Sequence, residues 1–162
     1  MPEHYYTVTW DQLHRDARAL AWRLMPTQYK GIVAITRGGM IPAAIIAREL
    51  EIRVLDCVSI LTYGQQGAAE TEAAEPQILK PPTAAADGTN WLIIDDLVDT
   101  GATARVVRRL LPNAHFATLY AKPAGKPLVD SFVTEVSQDT WILFPWDTEP
   151  QFSVPLVKRL HP

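Results

Sequence analysis

Trp91-Leu92-Ile93-Ile94-Asp95-Asp96-Leu97-Val98-Asp99-Thr100-Gly101-Ala102-Thr103 drives four apolar residues of strand character straight into two adjacent carboxylates. A short turn later come a third carboxylate, two hydroxyls and a glycine, and there a helical pattern begins. The segment reads as a buried strand that presents acids at its carboxyl end, followed by a small-residue loop whose N–H groups point outward at a helix start. Such a helix start binds phosphate, because its first amides have no intrahelical partner and carry the positive end of the dipole. Carboxylates beside a phosphate repel it unless they hold sugar hydroxyls or a magnesium ion that the phosphates share. Phosphate, polyol and metal together point to a phosphorylated sugar.

Outward from this run, the chain alternates strand and helix signals. Thr9-Trp10-Asp11-Gln12 has the form of a capping box, and Trp10, Leu13, Ala17, Leu20, Ala21 and Leu24 follow at helical spacing until Pro26. Gly31 to Thr36 is a buried-strand run closed by Arg37-Gly38-Gly39, and Pro42 sits where a first-turn proline belongs. Val54 to Ile60 is the next strand candidate. From Thr62 to Asn90 periodicity is lost, with only Gln77-Ile78-Leu79 able to pair, so a mobile loop is expected over about 62–90. After the acidic run a helix extends to Pro112, with Arg108 and Arg109 complementing its dipole. His115 to Tyr120 reads as a strand ending at Lys122, and weaker strands surround Phe132-Val133 and Trp141 to Phe144. The expectation is one three-layer α/β domain over 1–162, a mostly parallel sheet flanked by helices, with a small C-terminal hood over about 128–162. Ligands of such sheets sit at the carboxyl ends of the strands, where Arg37, Asp95 and Lys122 all fall.

Composition bounds the function. The chain has 162 residues, 48% of them hydrophobic and 20% charged, which suits a globular domain with a real core. No apolar run approaches the ~20 residues that span a bilayer. The net charge of -3 argues against a nucleic-acid surface and leaves recruitment of a polyanion to local donors. Glu3, Asp11, Arg15, Asp16 and Arg18 leave no room for a signal-peptide apolar region, and the single cysteine, Cys57, excludes an internal disulfide. A reducing cytoplasm is the expected setting, with a peripheral position on the inner face of the cell membrane left open. The four histidines lack ligand spacing, so no zinc site is expected.

Asp95-Asp96-Leu97-Val98-Asp99 also fits the DDxxD pattern by which prenyl-diphosphate enzymes hold magnesium. Those enzymes place the pattern on a helix, whereas Leu92-Ile93-Ile94 is strand-like and Thr100-Gly101 would break a helix. The run from Ile93 to Thr103 instead resembles the phosphoribosyl-diphosphate motif of the type I purine phosphoribosyltransferases. Thr36-Arg37-Gly38-Gly39, Tyr120 to Pro127, Gln138 to Ile142 and Pro145-Trp146-Asp147 resemble the same family in order and spacing. The likeness covers nearly the whole chain, failing mainly between Gly64 and Glu75.

The resemblance implies transfer of a phosphoribosyl group from phosphoribosyl diphosphate to a 6-oxopurine (xanthine, guanine, less well hypoxanthine), with Mg2+ and release of pyrophosphate. Asp95 and Asp96 would hold the ribose hydroxyls, and Asp96 would also order the metal shell. Thr100, Gly101, Ala102 and Thr103 would cradle the 5′-phosphate, and Arg37 and the Gly38 amide the pyrophosphate. Asp99 would belong both to the residues that bind phosphoribosyl diphosphate and to those that bind the purine, and would take the N7 proton of the base. Lys122 would donate to O6, Trp141 would stack on the ring, and the Ile142 carbonyl would accept from the 2-amino group of guanine or an N–H of xanthine.

Two departures from the pattern stand out. Ala102 replaces a glycine, and the Gly64 to Glu75 stretch is acidic and alanine-rich where the family carries a basic residue on a closing loop. Weaker closure, or a charge supplied by Lys80 or by a neighbouring subunit, are the alternatives. The remaining tryptophans, Trp10, Trp22 and Trp91, read as core or interface aromatics. A homo-oligomer, tetramer or dimer, is the family's habit. A non-catalytic nucleotide-sensing regulator on the same fold is the alternative function, and joint retention of Asp99, Lys122 and Trp141 disfavours it.

Overall fold

The run that decides the fold becomes a strand because its residues are buried on both faces, the condition that makes parallel strands read as unbroken apolar stretches. The computed structural model describes residues 4–62 and 75–148. In chain order the elements are β1 (His4–Thr7), α1 (Trp10–Leu24), β2 (Gly31–Thr36), α2 (Met40–Glu49), β3 (Leu55–Leu61), β4 (Gln77–Lys80), β5 (Trp91–Val98), α3 (Ala102–Leu110), β6 (His115–Ala121), β7 (Ser131–Glu135) and β8 (Thr140–Leu143). The main sheet has the order β4-β3-β2-β5-β6-β7, parallel except for β4, which runs antiparallel to β3.

Side chains alternate across the sheet with a period of two. Ile32, Ala34, Leu92 and Ile94 join Leu13, Leu20 and Leu24 of α1 and Ala43 and Ile46 of α2 in one core. Val33, Ile35, Trp91 and Ile93 join Ala104, Val107 and Leu111 in the core beneath α3. The expected three layers are therefore present. Chain progression runs outward from β2 to β3 on one side and from β5 to β7 on the other, so direction reverses between β2 and β5. Such a switch point opens a crevice at the carboxyl ends of the strands, and the Ala34–Ile94 register sets the ends of β2 and β5 side by side.

Several local expectations change in detail. Thr9 caps α1, accepting from the Gln12 N–H at 3.2 Å, but the Gln12 amide turns away to donate to the Tyr6 hydroxyl at 2.7 Å. Only half a capping box forms, because the Gln12 side chain is drawn to Tyr6 of β1 as a donor and does not accept from the Thr9 N–H. β1 itself, which sequence reasoning did not find, pairs in parallel with β8 as a separate two-stranded sheet. An aromatic group fastens this sheet to the domain: Tyr6 and Phe144 both pack edge-on against Tyr120, at 5.9 and 5.8 Å, and Trp146 stacks on Phe144 at 4.9 Å. Of the tryptophans read as core or interface, Trp91 is buried, whereas Trp10 and Trp22 are 55% and 73% exposed and belong to no core. Arg108, beyond complementing the helix dipole, donates to the carbonyls of Ala114 and Leu128 and pairs with Asp130 at 2.6 Å, binding α3 to the start of β7.

The aperiodic stretch and the expected C-terminal hood both lie partly outside the described residues, which omit 63–74 and 149–162. The remainder of the aperiodic stretch is bonded to the domain. β4 pairs with β3, Asn113 donates to Asp87, and Lys30 donates to the Asn90 carbonyl.

Candidate active site

Each half of the crevice begins with a strand end that small residues allow to turn tightly. After β2 the Thr36–Arg37 peptide is cis. Gly39 N–H then donates to the Ile35 carbonyl at 2.8 Å, and Met40 N–H to that of Arg37 at 3.1 Å. Arg37 is exposed and Gly38 lies against Asp96, so closely that a Cβ on residue 38 would fall inside the Asp96 carboxylate. Glycine at 38 is thus a requirement of the neighbouring strand end. It brings together the residues expected to meet pyrophosphate and those expected to meet the sugar.

Asp95 and Asp96 are adjacent and half-buried, and the Asp96 N–H donates to the Asp95 carboxylate at 2.9 Å. Burial raises the Asp95 pKa well above the ordinary carboxylate range, and the Asp96 charge adds to the effect. Burial likewise raises that of Asp96, outweighing the hydrogen bonds it accepts, and the nearby Asp147 carboxylate adds to the rise. No cation of the described residues forms an ion pair with either acid. Sugar hydroxyls or a hard cation would stabilise such a pair. The described residues contain no cluster of three or more candidate metal ligands. A site of one or two carboxylates suits Mg2+, which keeps waters and substrate phosphates as its other ligands, better than an ion that needs an all-protein cage.

The loop that follows reaches α3 through Gly101, whose φ of 88° is in the left-handed region that glycine enters without strain. Arg105 N–H donates to the Gly101 carbonyl at 2.9 Å, starting the helix ladder, and the Ala102 N–H has only a 3.4 Å contact with the Thr100 hydroxyl. The amides of a first helical turn are left for an outside acceptor. Alanine at 102 retains its N–H, so the departure from glycine leaves that donor in place.

Asp99 is the meeting point of the base side. Lys122 is buried at the end of β6 and its ammonium donates to Asp99 Oδ2 at 3.0 Å. Gln138 donates to the other oxygen, Oδ1, at 2.8 Å. Trp141 and Ile142 follow on β8, in register with Tyr5 and Tyr6 of β1: Trp141 is 43% exposed, whereas Ile142 is buried in the core. Sequence reasoning placed Gln138 in a family-like run but gave it no role, because a surface glutamine carries no signal of its contacts. It likewise gave no role to Asp147, whose position near Asp96 depends on the turn after β8.

Lys80 does not serve as the missing loop cation. Its ammonium pairs with Asp56 at 3.1 Å and donates to the carbonyls of Cys57 and Pro81. Asp56 accepts in addition from the amides of Cys57, Thr83 and Ala84. Lys80 is thereby held near the amino end of β3, while the site lies at the carboxyl ends.

Residues 9–153 match the phosphoribosyl transferase domain, and the chain belongs to that family. Its relatives narrow the class. The chain is 62% identical over 155 residues to the xanthine-guanine phosphoribosyltransferase of Desulfotalea psychrophila (strain LSv54 / DSM 12343), covering 95% of this chain and 93% of that protein. It is 61% identical over 158 residues to the enzyme of the same name from Gluconobacter oxydans (strain 621H), covering 96% and 92%. Among solved structures, a purine phosphoribosyltransferase from Pyrococcus horikoshii Ot3 superposes with a TM-score of 0.74 at 28% identity, covering 96% of this chain and all of that one.

Proposed function

We propose that this protein is a purine-salvage enzyme that transfers the phosphoribosyl group of phosphoribosyl diphosphate to xanthine or guanine, and less well to hypoxanthine. The observation that carries the reading is the Asp99–Lys122 pair, a carboxylate and a buried ammonium 3.0 Å apart, beside the acidic strand end and the open helix start. A purine N7–H and its O6 lie next to each other on one edge of the ring, and these two groups complement them. Adenine carries an amino group at that edge, which cannot accept from Lys122.

In the reaction the C1′–O bond to pyrophosphate breaks and a C1′–N9 bond forms. Asp99 takes the proton leaving N7, so the base enters as a neutral purine and ends as a neutral nucleotide base. General-base assistance of this kind is typically worth ~10²–10⁴-fold. Asp95 and Asp96 hold the ribose hydroxyls, the amides of Thr100, Gly101, Ala102 and Thr103 hold the 5′-phosphate, and Arg37 with the Gly38 amide receives the departing pyrophosphate. Asp96 would hold Mg2+, which supplies charge neutralisation to the diphosphate. Trp141 stacks on the ring, and the Ile142 carbonyl accepts from the 2-substituent edge.

The cytoplasm, where such substrates occur, is the proposed location. A chain of net charge -3 gives no support to attachment at an anionic membrane face, and no helix among the described residues is long and apolar enough to cross a membrane. Assembly as a dimer or tetramer belongs to the proposal, with exposed Trp22, Met25, Leu55 and Leu79 as apolar surface available for it. The test of function is incubation with phosphoribosyl diphosphate, Mg2+ and each purine separately. Nucleotide from guanine and xanthine is the expected result; nucleotide from adenine alone, or from no base, refutes the reading.

A further inference from the structure

We infer that Gln138 is a positioning residue for Asp99, fixing which oxygen of that carboxylate faces the purine; the inference rests on the reading of Asp99 as the base at N7. The amide of Gln138 is held at both ends. Its Oε1 accepts from the Ala124 N–H at 3.0 Å, which leaves Nε2 as the end that meets Asp99 Oδ1 at 2.8 Å. The orientation of the amide is therefore set by a backbone group outside the catalytic constellation. Asp99, Lys122 with Ala124, and Gln138 come from three separate connections, after β5, after β6 and between β7 and β8. Lys122 N–H also donates to the Val98 carbonyl at 2.9 Å, so the first two connections are already joined by backbone. Gln138 ties the third to them.

The carboxylate needs such a tie. Rotation of an aspartate about its last torsion is broad and meets little resistance, and Asp99 is 38% exposed on its side chain, so neighbouring atoms do not hold it by packing. Lys122 occupies Oδ2, but in the proposed reaction the same ammonium has O6 of the purine to serve. When it does so, Gln138 is the side-chain donor that remains on Asp99 among the described residues, and it holds Oδ1. Oδ2 becomes the oxygen that receives the N7 proton. Arg37, Asp95, Asp96 and the loop amides carry the main hold on phosphoribosyl diphosphate, so loss of this tie falls chiefly on the chemical step.

Two variants of the full chain separate this role from a structural one. Gln138→Met keeps length and removes both polar contacts. Gln138→Glu can still accept from Ala124 N–H but cannot donate to Asp99, and it faces that residue with a like charge. With guanine, phosphoribosyl diphosphate and Mg2+, Gln138→Met is expected to lower kcat between about 10- and 100-fold, the scale on which a misplaced catalytic group loses rate, with KM for phosphoribosyl diphosphate within about twofold of wild type. Gln138→Glu is expected to lie lower still. Wild-type kcat in both variants overturns the inference, as does Gln138→Glu matching wild type while Gln138→Met falls, which would make Gln138 only a staple on Ala124. Melting temperatures that fall in step with kcat overturn it in the same way. A wild-type chain that turns over no purine removes the functional reading and this inference with it; an active wild type with indifferent variants removes this inference alone.

Discussion

Replacing Lys122 by methionine separates recognition of the base from support of the fold, because the side chain is buried while Asp99, its ion-pair partner among the described residues, is not. Lys122 is 6% exposed on its side chain and Asp99 38%. Methionine retains the apolar stem in its packing and removes the ammonium. Asp99 keeps its bond from Gln138 at 2.8 Å, and water can reach the oxygen that Lys122 vacates. Screening by that water limits the stability lost with the pair to about 0–1 kcal/mol, a shift in Tm of no more than about 4 °C for a chain of this size. Activity should change far more. A hydrogen bond from a charged group is worth about 1.5–3 kcal/mol, so kcat/KM for guanine should fall roughly 10- to 150-fold. Adenine presents no acceptor at the six position and should lose nothing. The assay is kcat/KM for guanine and for adenine, measured on wild type and variant with a melting curve for each, and the guanine-to-adenine ratio should collapse by the same 10- to 150-fold. An equal loss on both bases, an unchanged guanine rate, or a Tm lower by more than about 8 °C would contradict a recognition role for Lys122, the last by making it a core element.

Asp56 gives a prediction in pH. Burial pushes its carboxyl up, but the amides of Ala84, Thr83 and Cys57 and the Lys80 ammonium outweigh that and bring it from 3.8 down to about 2. A depressed carboxyl stabilises the fold above its unfolded pKa, so about 2 kcal/mol is present at neutral pH and lost as pH falls from roughly 4 through 2. Asp56→Asn should therefore melt about 4–8 °C lower at pH 7, and denaturant titrations should show the gap closing below pH 4; a gap independent of pH contradicts the assignment. Gly38→Ala places a methyl group inside the Asp96 carboxylate, an overpacking that costs about 1–3 kcal/mol, and should raise KM for phosphoribosyl diphosphate at least about tenfold in a substrate titration. Trp141→Ala should raise KM for guanine about 5- to 150-fold through lost stacking, with little change in Tm because the ring is 43% exposed. A lowered Tm with unchanged KM would make Trp141 a structural part of β8.

The parts of the fold legible in the sequence are those whose signal is local. β2, β5 and β6 are buried on both faces and so read as unbroken apolar runs. α1 shows its buried stripe at Leu13, Ala17, Leu20, Ala21 and Leu24, although Trp10, at the head of the same stripe, lies 55% exposed. Even the brief pairing at Gln77 to Leu79 is found, as β4. β1 is a different case: four residues of mixed polarity become a strand only because β8, more than 130 residues further on, pairs with them. The site divides along the same line. The acidic strand end and the loop at Gly101 are local motifs, whereas the Gln138 bonds, the placing of Asp147 near Asp96 and the capture of Lys80 by Asp56 join distant segments. A lysine in the sequence near an expected loop says nothing of the partner that will claim it.

The most direct measurement is the turnover of guanine by Asp99→Asn, set beside wild type under saturating phosphoribosyl diphosphate and Mg2+. Asparagine keeps the size of the side chain and removes its capacity to take a proton. The role of Asp99 as the base at N7 predicts that kcat falls about 10²- to 10⁴-fold, with a much smaller change in KM for phosphoribosyl diphosphate. An unchanged kcat would contradict it, because the proton of N7 would then leave by another route.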